Sequence, residues 1–407
     1  MGMKTPVYDG MMRLCASHRW KHWAGYLSVC SYDFSHDREY YAFRETAGLI
    51  DVSPLFKYEV SGPDVVPFLK RLLVRDIASL KPGGMTYVCW CDDDGYVVDD
   101  GTVFRVSENC FRIQSADPSY SWFSRVAYGF NVTVTDRSRD LASLSVQGPR
   151  AREVVAEVTA ADGTVGVRDI GFFKGCPVRF ESGGKGFVTR TGYTGDLGYE
   201  LWVDRDQAMP LWDALLARGR KHGLEACGLD AMDVCRVEAG YILNGVDYQS
   251  SLHLSLDSRK STPYEIGLGA RIDLDRDFVG AESLRRKSKN GRLADRPETV
   301  LVGLEVDWDD FERAHRSRGV SPEICTAAWR KTVPIFGPDD VQIGYASSGT
   351  WSPILKKNIA LAHVRPEFQA LGETVGMQII VEHELDIARC KVVKTPFFDP
   401  ERKRGSV

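Results

Sequence analysis

Two adjacent aspartates inside a strand-like run are the first residues whose placement suggests chemistry. From Trp90 to Val106 the chain reads Trp-Cys-Asp-Asp-Asp-Gly-Tyr-Val-Val-Asp-Asp-Gly-Thr-Val-Phe-Arg-Val. An acidic turn ending in Gly95 separates two strand-like runs. Asp99 and Asp100 stand in the second, where valine or threonine would be ordinary. Strand side chains alternate between faces, so one of the pair should point inward. A buried carboxylate is costly unless something binds or pairs with it. Two readings stay open at this point: a bulge or side-chain-to-backbone cap, or a carboxylate aimed into a cavity. A second acid, Glu200, lies in the strand-like segment Tyr199–Val203, just after a loop containing Gly192, Gly195 and Gly198. Glycines at that density imply close backbone approach or positive φ.

Other chemistries find little footing. No G-x-x-x-x-G-K-[ST] run is present, the glycine loop lies in a strand-rich region, and no nucleophile-elbow pattern marks a serine. The formal charge of -4 gives no overall attraction for nucleic acid or anionic lipid, and no helix carries a basic stripe. The apolar runs are too short to cross a bilayer. Ten cysteines are scattered without C-x-x-C spacing, and they read as free thiols in a reducing, cytoplasmic setting. Cys89 and Cys91 share a strand face but have no second pair nearby, so no metal site is expected.

The elements that must position these acids follow from periodicity. At 407 residues the chain is too long for one ordinary core. A helix is expected over Asp37–Ala47 with Gly48 as its C-cap, and another over Val65–Leu73 capped by Asp64. Strands are expected over Met85–Trp90, Val97–Val106 and 109–115. The order strand, Gly-Pro, helix at 57–73 recurs at 141–158, which suggests paired α+β units. The expected divisions are an α+β domain over 1–140, a second over 141–250, a linker or return segment over 251–300, and a small β-barrel over 301–398. Residues 307–330 read as charged and irregular, and 399–407 as a disordered basic tail.

Several runs, in order along residues 35–395, resemble the aminomethyltransferase (glycine-cleavage T-protein) family of tetrahydrofolate-dependent enzymes. They are Phe43 to Ser53, Val98-Asp99-Asp100, Val146-Gln147-Gly148-Pro149, Gly192 to Glu200, Arg236-Val237-Glu238-Ala239-Gly240, Thr262 to Leu268 and Ser348 to Pro353. The resemblance implies an α+β fold, a three-domain ring around a channel holding folate, with a C-terminal β-barrel-like domain. It matches Asp100 to the family's essential aspartate and Glu200 to the glutamate that grips the pterin donor edge. A carboxylate suits that edge because two oxygens match a ring N–H and an adjacent NH₂. Tyr87, Tyr193 and Tyr241 match aromatic contacts, and Arg236 a further cofactor-binding position.

Three departures stand out. Met232 replaces an arginine usual before the Arg-x-Glu-Ala run, Pro54 replaces a histidine after Asp-Val-Ser, and Phe104 replaces a tyrosine after the paired acids. They favour a divergent tetrahydrofolate-dependent transferase that demethylates a small N-, O- or S-methyl donor to give 5-methyltetrahydrofolate. The alternative implied is an aminomethyltransferase served by a lipoylated carrier protein, giving 5,10-methylenetetrahydrofolate and ammonia. A non-catalytic folate-binding protein is a further alternative.

Overall fold

Two β-sheets and a barrel are the largest strand assemblies in the computed structural model, which describes residues 2–163, 165–289, 292–293 and 299–405. The chain divides into two compact units. One comprises residues up to 88, 99–235 and from 399 onward, and the other comprises 89–98 and 236–398.

The first unit holds both sheets. A seven-stranded sheet runs in the order Thr159–Ala161, Gly175–Phe180, Lys185–Thr189, Gly198–Asp204, Leu141–Gln147, Ala47–Asp51 and Leu224–Ala226. Its last pair is parallel and the others are antiparallel. The five-stranded sheet runs Met85–Cys91, Val97–Ser107, Cys110–Ser115, Phe56–Ser61 and Thr133–Asp136. The tip of its leading hairpin, 89–98, belongs to the second unit.

Alternation along Gly198–Asp204 divides its side chains between two environments. Tyr199, Leu201 and Val203 join the apolar core formed with Val154, Val155, Leu211, Trp212 and Leu215 of the helices Ala151–Val158 and Ala208–Gly219. Glu200 and Trp202 fall on the opposite face. There the five-stranded sheet covers them: the Arg112 guanidinium lies 5.4 Å from the rings of both Trp202 and Phe187, and Phe104 meets Phe187 edge-on. The strand is therefore buried on both faces, and a continuous buried run follows.

The strand–Gly-Pro–helix repeat is present twice, as Phe56–Ser61 before Val65–Leu72 and Leu141–Gln147 before Ala151–Val158. The joining glycines, Gly62 and Gly148, take φ of +138° and +122°. A Cβ there would sit 2.5 Å and 2.7 Å from the carbonyl oxygens of Asn131 and Thr46. Only glycine fits either corner.

The second unit is dominated by a closed six-stranded barrel, in the order Val300–Val306, Lys357–Val364, Gln342–Ser352, Val333–Phe336, Thr374–Val381 and Glu384–Val393. Leu304, Ile335, Ala346, Ala360, Ala362 and Val392 fill its interior. Closure leaves no free edge.

Several expectations need correction. Gly48 is inside the strand Ala47–Asp51, and the preceding helix stops at Glu45 with Thr46 as its C-cap. A Cβ at Gly48 would meet Phe43 and the Cys227 thiol at 2.5–2.6 Å, so packing explains that glycine. Asp64 occupies the N-cap of Val65–Leu72 without a side-chain capping bond. Residues 307–330 are partly regular, because Trp308–Arg316 is a helix whose N-cap carboxylate, Asp307, accepts from the Asp310 N–H. Residues 399–405 are no loose tail: Lys403 is buried and Arg402 pairs with Asp196. Residues 406–407 lie outside the described residues. The ten cysteines are all free thiols, and among the described residues no helix is long and apolar enough to cross a membrane.

Candidate active site

The acidic turn of the hairpin is structural. Asp92 Oδ1 accepts from the N–H groups of Asp94 and Tyr96, while Gly95 closes the turn at φ +79°. The paired acids beyond it separate by face. Asp99 is fully buried, with Oδ1 accepting from the Asp100 N–H and Oδ2 from the Asp117 N–H at 2.9 Å each. The inward acid is thus engaged by main chain, as the capping reading of that position anticipated. Asp100 shares the face of Thr102 and Phe104, and Phe104 touches the facing sheet at Phe187. It is half-buried, and the Tyr87 hydroxyl donates to its Oδ2 at 2.7 Å.

Glu200 approaches the same inter-sheet space from the other side. It is 9 % exposed, and Thr191 Oγ1 donates to its Oε1 at 3.3 Å, while Oε2 has no hydrogen-bond partner among the described residues. Burial pushes its carboxyl up to about 7, against the opposing pulls of Thr191, the Lys57 ammonium and the Gln114 amide. The Gln114 Nε2 also lacks a partner within hydrogen-bond distance, so its pull on Glu200 acts without a formed bond. Lys57, in register with Gln114 on the neighbouring strand, is completely buried. Its Nζ donates to the carbonyls of Ser53 and Leu55 at 2.8 and 2.7 Å. Burial pulls the ammonium down to about 8, opposed chiefly by Asp51 and then Glu200. A dry acid and a dry base thus lie within electrostatic reach of each other with opposite perturbations.

The loop before Glu200 is held from several directions. Gln147 Nε2 donates to the Thr191 carbonyl at 3.1 Å and its Oε1 accepts from Thr194 Oγ1 at 2.9 Å. A Cβ on Gly192 or Gly198 would come within 1.9–2.3 Å of that amide, which explains two of the three loop glycines. Arg44 donates to the Thr194 carbonyl at 2.9 Å. Tyr193, half-buried, is carried on this fixed backbone.

Tyr87, Asp100, Tyr193 and Glu200 thus belong to the first unit, and Tyr241 and Arg236 to the second. Arg236, expected from the sequence as a cofactor-binding residue, is engaged by protein acceptors on Nη1. Its side chain has no exposed surface, and Nη1 donates to Asp247 Oδ2 at 2.6 Å, Ser348 Oγ at 3.1 Å and the Tyr241 carbonyl at 3.3 Å. Asp247 in turn accepts from the hydroxyls of Ser347 and Ser348. A buried guanidinium needs acceptors on several sides, and here Asp247, Ser348 and the Tyr241 carbonyl supply them within the second unit. Tyr241 is half-buried.

Sequence reasoning missed Lys57, Gln147, Arg44, Asp196 and Arg402. Gln147, Arg44 and Asp196 stood within the quoted family runs, but those runs assign them no role. Lys57 sat in an alternating Lys-Tyr-Glu segment that reads as half-solvated.

The residues present suit a reduced pterin. Glu200 offers a buried oxygen without a hydrogen-bond partner among the described residues, in a carboxylate whose charged form would be favoured by ring N–H donors, and the aromatic side chains of Tyr87 and Tyr193 are half-buried.

Comparison with known proteins bears on the family and the fold. Residues 14–276 match the GCVT N-terminal domain, and residues 301–399 match the glycine cleavage T-protein C-terminal barrel domain. The chain is 34 % identical over 366 residues to an aminomethyltransferase of Bacillus velezensis, covering 88 % of this chain and 89 % of that protein. It is 32 % identical over 388 residues to a trimethylamine-oxide aldolase of Ruegeria pomeroyi, covering 93 % of this chain but 45 % of that protein. In fold it is similar to the crystal structure of glycine cleavage system aminomethyltransferase T from Bartonella henselae, with a TM-score of 0.78 at 24 % identity over 98 % of this chain and 99 % of that one.

Proposed function

The chain belongs to the glycine cleavage T-protein family of one-carbon, folate-dependent enzymes, and from that footing we propose that it transfers a nitrogen-borne one-carbon unit to tetrahydrofolate. The favoured form is aminomethyl transfer from a dihydrolipoyl carrier, in which the carbon's bonds to sulfur and to its amine are replaced by bonds to two folate nitrogens, yielding 5,10-methylenetetrahydrofolate, ammonia and the free carrier thiol. The names of the two relatives above, an aminomethyltransferase and a trimethylamine-oxide aldolase, both refer to carbon bound to nitrogen. The sequence reading had placed demethylation to 5-methyltetrahydrofolate first. Similarity to an aminomethyltransferase across nearly the whole of both chains supports the alternative better.

One observation carries the proposal: the partnerless Glu200 oxygen and the Tyr87-held Asp100 carboxylate stand on facing sheet surfaces of one unit. Glu200 would hold the pterin's donor edge, and Tyr193 and Tyr87 would line the ring. Bound tetrahydrofolate would supply the nucleophilic nitrogen that accepts the carbon. Asp100 would sit beside the reacting amine and oppose positive charge as it develops there, which is worth most where donors are fixed in advance. Tyr87 fixes Oδ2 of that carboxylate and so sets its orientation. Alignment of donor and acceptor supplies much of the remaining rate.

Met232 and Pro54 sustain the second reading, a small methylated donor in place of a lipoylated carrier. Product identity separates the two. The protein would be given tetrahydrofolate with an aminomethyl-dihydrolipoyl carrier protein, and separately with methylated amines, and the folate product identified by mass spectrometry. 5,10-Methylenetetrahydrofolate with ammonia is the expected result. 5-Methyltetrahydrofolate with a demethylated amine would transfer the assignment to the second reading, and no folate product from any donor would refute both.

A further inference from the structure

The segment Asp399–Gly405 bridges two points of the loop that leads to Glu200. Arg402 reaches Asp196 with both Nε and Nη2 at 2.7 Å, a two-point grip on a carboxylate that has no exposed surface. Asp196 Oδ1 also accepts from the Leu197 N–H at 2.7 Å, and Arg44 stands 3.7 Å from its Oδ2. At the loop's entrance, the buried Arg190 guanidinium donates to the carbonyls of Arg402 and Lys403 at 3.2 Å each and of Gly405 at 2.9 Å. The segment is stiffened internally, since Arg404 donates to both oxygens of Asp399 at 2.8 and 2.7 Å.

We propose that Asp399–Gly405 is the fastening of the Thr191–Gly198 loop, and that Arg402, acting through Asp196, is a positioning residue for reduced-folate binding by Tyr193 and Glu200. The inference rests on the folate reading above. The physical case lies in what surrounds the loop. Glycine at 192, 195 and 198 gives the backbone many alternative conformations, so its native path depends on side-chain ties. Gln147 and Arg44 hold its inner side. The carboxylate of Asp196 is buried and needs charged partners there, and Arg402 supplies the closest of them. Without that contact the middle of the loop loses its strongest restraint while the sheets and helices around it keep theirs.

The test uses the full-length chain and three variants: Arg402→Ala, Arg402→Lys and Asp196→Asn. In the protein without ligand, hydrogen exchange of amides 191–198 should rise about tenfold or more in Arg402→Ala, with other core amides unchanged. Tetrahydrofolate affinity, read by anaerobic calorimetry, should weaken about tenfold to a hundredfold, since small misplacements of a binding group carry losses of that size. The same loss should appear in the folate KM, with kcat within about twofold. Arg402→Lys keeps the charge but loses the fork and should be intermediate. Asp196→Asn should match Arg402→Ala, and the double variant should be no worse than either single one. Unchanged loop exchange, or folate affinity within twofold of the parent in both Arg402→Ala and Asp196→Asn, would overturn the proposal. If the parent protein itself fails to bind tetrahydrofolate, the folate reading and the functional half of this inference fall together. Hydrogen exchange in the variants still decides whether the segment fastens the loop.

Discussion

Asp100 and Glu200 reach the same inter-sheet space from opposite sheets, yet their settings differ in almost every physical respect. Asp100 keeps access to water, sits on a hairpin, and takes a phenol hydroxyl on one oxygen. Glu200 is dry, stands on a strand buried on both faces, and shares its surroundings with a buried lysine. The difference teaches how one space can hold two carboxylates for unlike tasks. A carboxylate near water can meet a changing charge during a reaction without a large desolvation cost. A carboxylate removed from water discriminates strongly between having a donor and lacking one, which suits recognition of a fixed N–H edge.

The sharpest way to break this contrast is to remove the charge from Asp100. Asp100→Asn keeps shape and volume, and the Tyr87 hydroxyl can still donate to the amide oxygen. Turnover should drop about 10²- to 10³-fold, the range seen when a preorganised electrostatic group is lost. Tetrahydrofolate affinity should stay within about threefold, because recognition is assigned to the other acid. Steady-state kinetics beside a binding isotherm would show the split. Turnover near that of the parent would remove Asp100 from the mechanism.

At the dry end the expected loss falls on binding, and it carries a pH signature. Burial holds Glu200 protonated up to about 7 in the protein without ligand, while an N–H edge prefers the ionised carboxylate. Below that pH the proton must leave before the edge can be accepted. Tetrahydrofolate affinity should therefore fall about tenfold for each pH unit below 7 and level off above it. Glu200→Gln should bind about 10- to 100-fold more weakly at pH 8, a hydrogen bond to a charged group being worth about 1.5–3 kcal/mol. In that variant the slope between pH 5.5 and 7 should vanish, leaving a flat profile. A slope that persisted in Glu200→Gln would assign the titration to another group.

How much of this was legible in the sequence follows from which forces are local. The hairpin around Asp100, the glycine-rich loop and the position of Glu200 inside a strand all came from period-two alternation and turn residues, which act over a few neighbours. The strand–Gly-Pro–helix repeat was visible for the same reason, since each corner needs a glycine that only local backbone dictates. Lys57 was not legible. Its strand reads as alternating charged and apolar residues, and only the arrival of a second sheet, from residues about 140 positions away at Glu200, makes that lysine dry. The C-terminal segment misled for a related reason. Asp-Pro-Glu-Arg-Lys-Arg looks like a solvated end by composition, but its cations answer to Asp196 and Asp399, and its carbonyls to Arg190. The final barrel strand, Glu384–Val393, did alternate, with Ala388, Cys390 and Val392 inward.

The smallest change that still probes the contrast is Tyr87→Phe. It removes one oxygen and leaves the ring, so any stacking surface stays while Asp100 Oδ2 loses its 2.7 Å donor. If the hydroxyl only orients a carboxylate that water can also reach, turnover should fall about 3- to 10-fold, the size of one net hydrogen bond of about 0.5–1.5 kcal/mol. Folate affinity should not change, since the ring is intact and the dry acid is untouched. A drop as large as that of Asp100→Asn would mean that the phenol itself meets the reacting group. Tyr87 would then join Asp100 as a catalytic residue, and the water-accessible side of the site would hold two working groups against the single acid on the dry side.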